Sequence, residues 1–135
     1  MKKIFKAIAL VSFTALLFAA CKKKDDSNTN PETISLGFMP GIAIHNGVKN
    51  EHCVINPMEG KLHYLNWDAG TNMWKPAANF ATGAGAHEIA FTSDGSTSYV
   101  TNQPANTVSV VDVVTHTVSG TINVGRKPNG ILIKY

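Results

Sequence analysis

Self-similarity at a spacing of 42 to 47 residues constrains this 135-residue chain more than any other feature. Val54-Ile55-Asn56 recurs as Val100-Thr101-Asn102, and Gly60-Lys61-Leu62 as Asn106-Thr107-Val108, both at an offset of 46. Asp68-Ala69-Gly70-Thr71 recurs as Asp112-Val113-Val114-Thr115 at 44, and Gly83 as Gly125 at 42. Ile42 aligns with Ile89 at 47, and Ile89 with Ile131 at 42. A longer echo joins Thr33-Ile34-Ser35-Leu36-Gly37 to Thr121-Ile122-Asn123-Val124-Gly125 at an offset of 88. A unit this short cannot bury its apolar face alone, so neighbouring repeats must stack on one another. The sequence is expected to open and close inside a repeat.

Within a repeat, short β-branched or aromatic runs alternate with turn residues. The runs are Ile89 to Thr92, Ser98 to Asn102, Thr107 to Val113 and Thr117 to Val124; Ser93-Asp94-Gly95, Pro104-Ala105-Asn106 and Thr115-His116 separate them. Four strands per repeat follow. Val108-Ser109-Val110-Val111-Asp112-Val113 is apolar on both faces, the pattern of a strand covered on each side. Asp94-Gly95 and Asn46-Gly47 read as tight hairpin turns, because both residues tolerate positive φ. No 3.6-residue period occurs after residue 20, so the expected fold class is all-β.

Tandem four-stranded units of this length are the sequence form of propeller blades. Tyr99-Val100-Thr101-Asn102, followed by Asn106-Thr107-Val108-Ser109-Val110-Val111-Asp112 and Thr121-Ile122-Asn123-Val124-Gly125, resembles the YVTN β-propeller repeat. In the first repeat Cys53-Val54-Ile55-Asn56 stands in the YVTN place, with Tyr64, Trp67 and Trp74 nearby. The resemblance covers residues 33–135 and implies a partial β-propeller, with repeats filling 32–135. Two four-stranded antiparallel blades are expected at about 40–83 and 86–125, plus one extra strand at each end: 33–37 as an outermost strand and 129–135 as the start of a third blade. Closed propellers carry about four to eight blades. Two blades leave flat apolar faces and unpaired edges, which invite association. Three arrangements stay open: a truncated piece of a longer propeller, a module that closes by self-association as a homo-oligomer, and an autonomous two-sheet domain.

The N-terminus reads as an address. Lys2, Lys3 and Lys6 precede an apolar run from Ala7 to Ala20 that is too short to cross a bilayer, which is the anatomy of a secretory signal over residues 1–20. Leu17-Phe18-Ala19-Ala20-Cys21 resembles the lipobox of bacterial lipoproteins, with Phe18 in place of the usual Leu. That resemblance implies acylation of Cys21 with palmitate-type chains, and two or more chains anchor a protein stably. Residues 21–31 then form a polar tether, KKKDDSNTNP after the cysteine. The expected location is the bacterial cell envelope, lipid-anchored to the outer membrane, either periplasmic or surface-exposed. Without Lys2, Lys3 and Lys6 the twelve basic residues fall to nine, equal to the nine acidic ones, so no electrostatic footprint for nucleic acid remains.

Resemblance to propellers places candidate ligand contacts at the channel mouth, where the connecting loops gather. Of the polar residues there, His87, Asn102, Arg126 and Lys127 are the candidates; the alternative is that His87 hydrogen-bonds the backbone of a neighbouring blade and that Arg126 and Lys127 are solvated loop charges. His45, His52, Cys53 and His63 raise a soft-metal site, but His52 and Cys53 are adjacent in a strand and point to opposite faces. Asp94 and Asp112 are explained by turns, and no Gly-x-Ser-x-Gly elbow or phosphate loop occurs. The expectation is therefore a binding or interaction module for a protein or polysaccharide, not an enzyme, and without a cofactor. The alternative is a metal-binding, cofactor-binding or hydrolytic propeller whose site is completed by self-association.

Overall fold

The computed structural model describes residues 33–135; the expected signal at 1–20, the acylated Cys21 and the tether at 21–31 lie outside the described residues. The described residues form eight strands: β1 (Ala43–Asn46), β2 (Glu51–Asn56), β3 (Lys61–Asp68), β4 (Met73–Ala81), β5 (Ala86–Phe91), β6 (Thr97–Asn102), β7 (Thr107–Asp112) and β8 (Thr117–Asn123). They build two four-stranded sheets in chain order, β1-β2-β3-β4 and β5-β6-β7-β8. All pairs are antiparallel. The all-β, partial-propeller expectation is what the described residues adopt.

Five of the six hairpins share one loop device. Asn46, Asn56, Asp68, Asn102 and Asp112 each end a strand, and four residues later the backbone takes positive φ at Asn50 (52°), Gly60 (63°), Asn72 (55°), Asn106 (56°) and His116 (53°). In four of them the strand-ending side chain accepts loop amides. Asn46 Oδ1 takes Val48 N and Lys49 N; Asn56 Oδ1 takes Glu59 N. Asp68 Oδ1 takes Gly70 N and Thr71 N; Asp112 Oδ1 takes Val114 N and Thr115 N. Short polar side chains compete well for such local amides, which is why Asn and Asp recur at these places. Asn46-Gly47 is thus not a two-residue turn: Asn46 belongs to β1 and the left-handed residue is Asn50. The β5–β6 connection differs, with Asp94 accepting from Thr92 Oγ1 and Ser96 N while Gly95 supplies φ +64°.

Register assigns each side chain to a face. The first sheet turns Ile44, Cys53, Ile55, Leu62, Tyr64 and Phe80 toward the second, which presents Ile89, Phe91, Val100 and Val111; together with Ala86 and Val113 they form one core. Tyr64 is fully buried at its centre, stacked on Phe80 at 5.8 Å and on His116 of the second sheet at 4.0 Å. Polar clasps close both ends of this seam. At one end Asn46 Nδ2 donates to Gly95 O at 2.9 Å and His116 Nε2 lies 3.4 Å from Glu51 Oε1. At the other, Asn102 Nδ2 and Ser109 Oγ donate to Thr82 O.

The echo of Ile42 with Ile89 is displaced by one residue. Ala43 pairs with Val54 as Ile89 pairs with Val100, so Ala43 is the structural counterpart of Ile89, and Ile42 packs on the core from the opposite face. A one-residue slip in a strand exchanges faces. Residues 33–36 and 131–134 alternate between exposed and half-buried but are not laddered, because the strands that would flank them in a blade are not among the described residues. Gln103 Nε2 to Asn129 Oδ1 and Tyr135 OH to Phe91 O tie the C-terminal stretch to the second sheet.

Two predictions follow from these loops. At Gly60 a Cβ would sit 2.2 Å from Gly83 O with φ at +63°. Left-handed backbone costs about 1–2 kcal/mol for a non-glycine residue and overpacking about 1–3 kcal/mol, so Gly60→Ala should lower stability by roughly 3 kcal/mol. An unchanged urea midpoint would contradict this. The hydroxyl of Thr92, then Ser96, holds the Asp94 carboxyl down from its ordinary 3.8 to about 2. Its stabilising effect is complete above the ordinary value and disappears as pH falls through about 2. Asp94→Asn should therefore lose less stability than the parent between about pH 4 and pH 2, read from melting temperatures across that range.

Candidate functional site

The four mouth residues gather at one end of the second sheet, yet no hydrogen bond joins their side chains. His87 is the second residue of β5, at a register slip between Ala86 and Ile89; it is half-buried and its Nδ1 is shielded from solvent without a partner. Asn102 ends β6 fully buried, sharing its Nδ2 hydrogens among Ser109 Oγ (2.9 Å), Thr107 Oγ1 (3.2 Å) and Thr82 O (3.5 Å). A Cβ on Gly83 would fall 2.6 Å from Asn102 Cγ, so the glycine makes room for this clasp. Arg126 and Lys127 are exposed in the loop after β8, where Lys127 takes φ +49° and donates its amide to Asn106 Oδ1 at 3.0 Å. Asn102 therefore holds the seam, whereas the two cations face water.

The histidines and cysteine of the first repeat divide between faces as expected. Cys53 enters the core, where burial, then the Glu51 carboxylate, pushes its thiol far above the ordinary range. A protonated thiol is a poor nucleophile and soft-metal ligand at neutral pH. Among the described residues no three of His, Cys, Asp and Glu come together. His45 and His52 are cross-strand partners on the outer face, rings 4.6 Å apart, and Trp74 stands edge-on to them at 5.8 and 4.1 Å. Trp67 adds a further edge contact to Trp74 at 5.4 Å. His63 lies on the same face against Phe38 at 4.3 Å, its pKa lowered chiefly by burial and its Nε2 without a partner.

This outer face holds an open apolar groove of about 190 Å³, walled by Ile34 and Leu36 on one side and by Ala43, His52, Val54, Leu65 and Trp74 on the other. Its origin is a missing side chain. Ala43 occupies the place that Ile89 fills in the second sheet and His52 stands where the second repeat has Ser98, while Trp74 belongs to the longer β3–β4 hairpin, past the Leu65–Pro76 pair that matches Val111–Val118. Reasoning from sequence did not single out this patch. Its signal was the gathering of His and Trp at outward positions of the first repeat only.

No family model matches the chain. A PE-PGRS family protein, PE_PGRS18 of Mycobacterium tuberculosis, is 49% identical over 47 residues, which is 35% of this chain and 10% of that protein. Among solved structures, a candidate 6-phosphogluconolactonase from Bacteroides fragilis matches with a TM-score of 0.62 and 20% identity over 76% of this chain. The periplasmic gluconolactonase PpgL of Pseudomonas aeruginosa matches at 0.56 and 18% over 73%, and the hydrazine synthase of Kuenenia stuttgartiensis at 0.61 and 24% over 75%. The chain spans 31%, 30% and 28% of their respective lengths. At these identities the likeness shows the fold, that of a β-propeller.

Asn102→Ala should therefore lower stability in the absence of any ligand. Loss of its buried hydrogen bonds costs about 1–3 kcal/mol, visible as an earlier thermal transition. An unaltered transition would return Asn102 to the list of free ligand contacts.

Proposed function

We propose that this chain is a lipid-anchored protein of the bacterial envelope whose YVTN-like propeller blades act as a binding or interaction module. The single observation that supports an interaction role is the outer face of the first sheet, with its open groove and rim of Trp67, Trp74, His45 and His52. Exposed apolar and aromatic surface of this kind is where partners gain the most from excluding water. The partner classes in keeping with it are a protein, a polysaccharide or a further propeller blade. Balanced charge after residue 20 speaks against nucleic acid. Leu17-Phe18-Ala19-Ala20-Cys21 supports the anchor, and the polar residues that follow would lift the blades from the membrane surface.

The gluconolactonases among the similar structures favour a second reading, a hydrolytic propeller whose channel further blades complete. In that reading His87, Arg126 and Lys127 would line the mouth.

The full chain made in a bacterium should take up labelled palmitate and pellet with membranes, and Cys21→Ser should do neither. A serine variant that still pellets would end the lipid-anchor reading. In the same preparations the wild type should leave sugar lactones intact; turnover above that of an empty-vector control would replace the binding reading by the hydrolytic one.

A further inference from the structure

The two sheets of this chain meet through unlike faces, and each has one such face left over. At the seam, the first sheet contributes the face bearing Ile44, Cys53, Leu62 and Tyr64, and the second the face bearing Ile89, Val100 and Val111. By register and repeat offset, the leftover face of the first sheet (Ala43, Val54, Leu65) is the counterpart of the second sheet's seam face. The leftover face of the second sheet (Ala90, Tyr99, Val108, Val110) is the counterpart of the first sheet's seam face. The chain therefore displays both halves of a contact that it already makes once internally.

We infer that the outer face of the first sheet is a socket for the second sheet of another copy of this chain, joined head to tail. This deepens the interaction role proposed above and rests on it. Three observations converge. First, the seam positions Phe80 of β4 against the second sheet, and its counterparts at the next strand ends are Ile34 and Ile122. Ile34 lies at the same place on the first sheet, in the wall of the groove. Thr33-Ile34-Ser35-Leu36-Gly37 is thus a resident stand-in for Thr121-Ile122-Asn123-Val124-Gly125 of a preceding blade, whose Ile122 and Val124 are 47% and 37% exposed.

Second, the stand-in covers only part of the socket. At the internal seam Tyr64 fills the space between facing sheets, but the outer face of the first sheet retains the groove. Its vacant volume calls for side chains from the middle strands of a blade, which on another copy are Tyr99, Val108 and Val110. Third, the polar clasp is in place. Asn102 and Ser109 hold Thr82 at the seam, and their counterparts on the socket are Asn56 and His63, with His63 Nε2 lacking a partner. Docking would exchange residues 33–37 of one copy for residues 121–125 of the next.

The test is the molar mass of the full chain in mild detergent, by light scattering during size exclusion. Wild type should reach a multiple of the monomer mass that rises with concentration. Ala43→Arg blocks the socket and Ile122→Lys blocks the plug; both sites are solvent-exposed, and unchanged circular dichroism checks folding. Each variant alone should be monomeric, and an equimolar mixture should give a species of twice the monomer mass, since one intact socket meets one intact plug. A wild type that stays monomeric at about 100 µM overturns the inference, as does a mixture that stays monomeric or a variant that assembles like wild type. Those outcomes leave the membrane and palmitate result untouched, so a failed socket and a failed envelope role are told apart. If a variant misfolds, Pro76→Arg on the socket face and Val124→Lys on the plug segment, both also exposed, repeat the test.

Discussion

Tyr64 lies without exposed surface between Phe80 of its own sheet and His116 of the next, and the rest of the fold is arranged to keep it there. A single sheet of four- to nine-residue strands leaves this apolar face in water unless a neighbouring repeat covers it. Burying an aromatic side chain of this size against a second sheet supplies about 2–3 kcal/mol through excluded water. Burial also pushes the Tyr64 hydroxyl far above its ordinary titration range, so the ring enters the seam neutral. His116 reaches it because the β7–β8 loop takes the left-handed turn at that residue. There its ring both stacks on Tyr64 and approaches Glu51, so one backbone angle serves the apolar centre and the polar end of the seam together.

The loop device explains how two diverged repeats keep one geometry. Val54 and Val100, or Leu65 and Val111, can trade size because the core adjusts around volume and patterning. The hairpins have less latitude. An Asn or Asp at the strand end and a residue able to adopt positive φ four places later fix where the chain reverses, and with it the register of the next strand. Glutamine, longer by a methylene, could not close the same short ring of amides at these strand ends.

Much of this was legible before any coordinates. The strands of the second repeat stand out because β-branched runs alternate with turn residues, and the opposite facing of His52 and Cys53 follows from pleating alone. What was not legible has a common cause. Ile42 looked like the partner of Ile89 because apolar identity was compared, whereas the ladder is set by the Asx loop at Asn46 to Asn50 and places Ala43 there instead. The groove then arises from a side chain that Ala43 lacks, and missing volume leaves no mark in a string of letters. Asn102 looked like a ligand contact because a polar residue at a loop is usually solvated; only the approach of Thr82 from another sheet shows that its amide is occupied.

Unlike faces have a consequence that like faces do not. Had the seam joined two copies of the same face, each sheet would end in a surface unrelated to the contact, and growth would stop at a pair. Because the seam joins opposite faces of successive repeats, every added sheet regenerates the surface just buried, and such heterologous contacts end only by closing a ring or by covering the last face. Residues 33–37 cover one face in part, with Ile34 and Leu36 in the positions a neighbouring blade would fill. Residues 129–135 lie along the second sheet, held by Gln103 at one end and the Phe91 carbonyl at the other. A single strand without ladder partners offers a face its side chains but not a sheet's worth of packed surface. The two covers are therefore weaker than the seam they imitate, and that inequality makes exchange with another blade favourable.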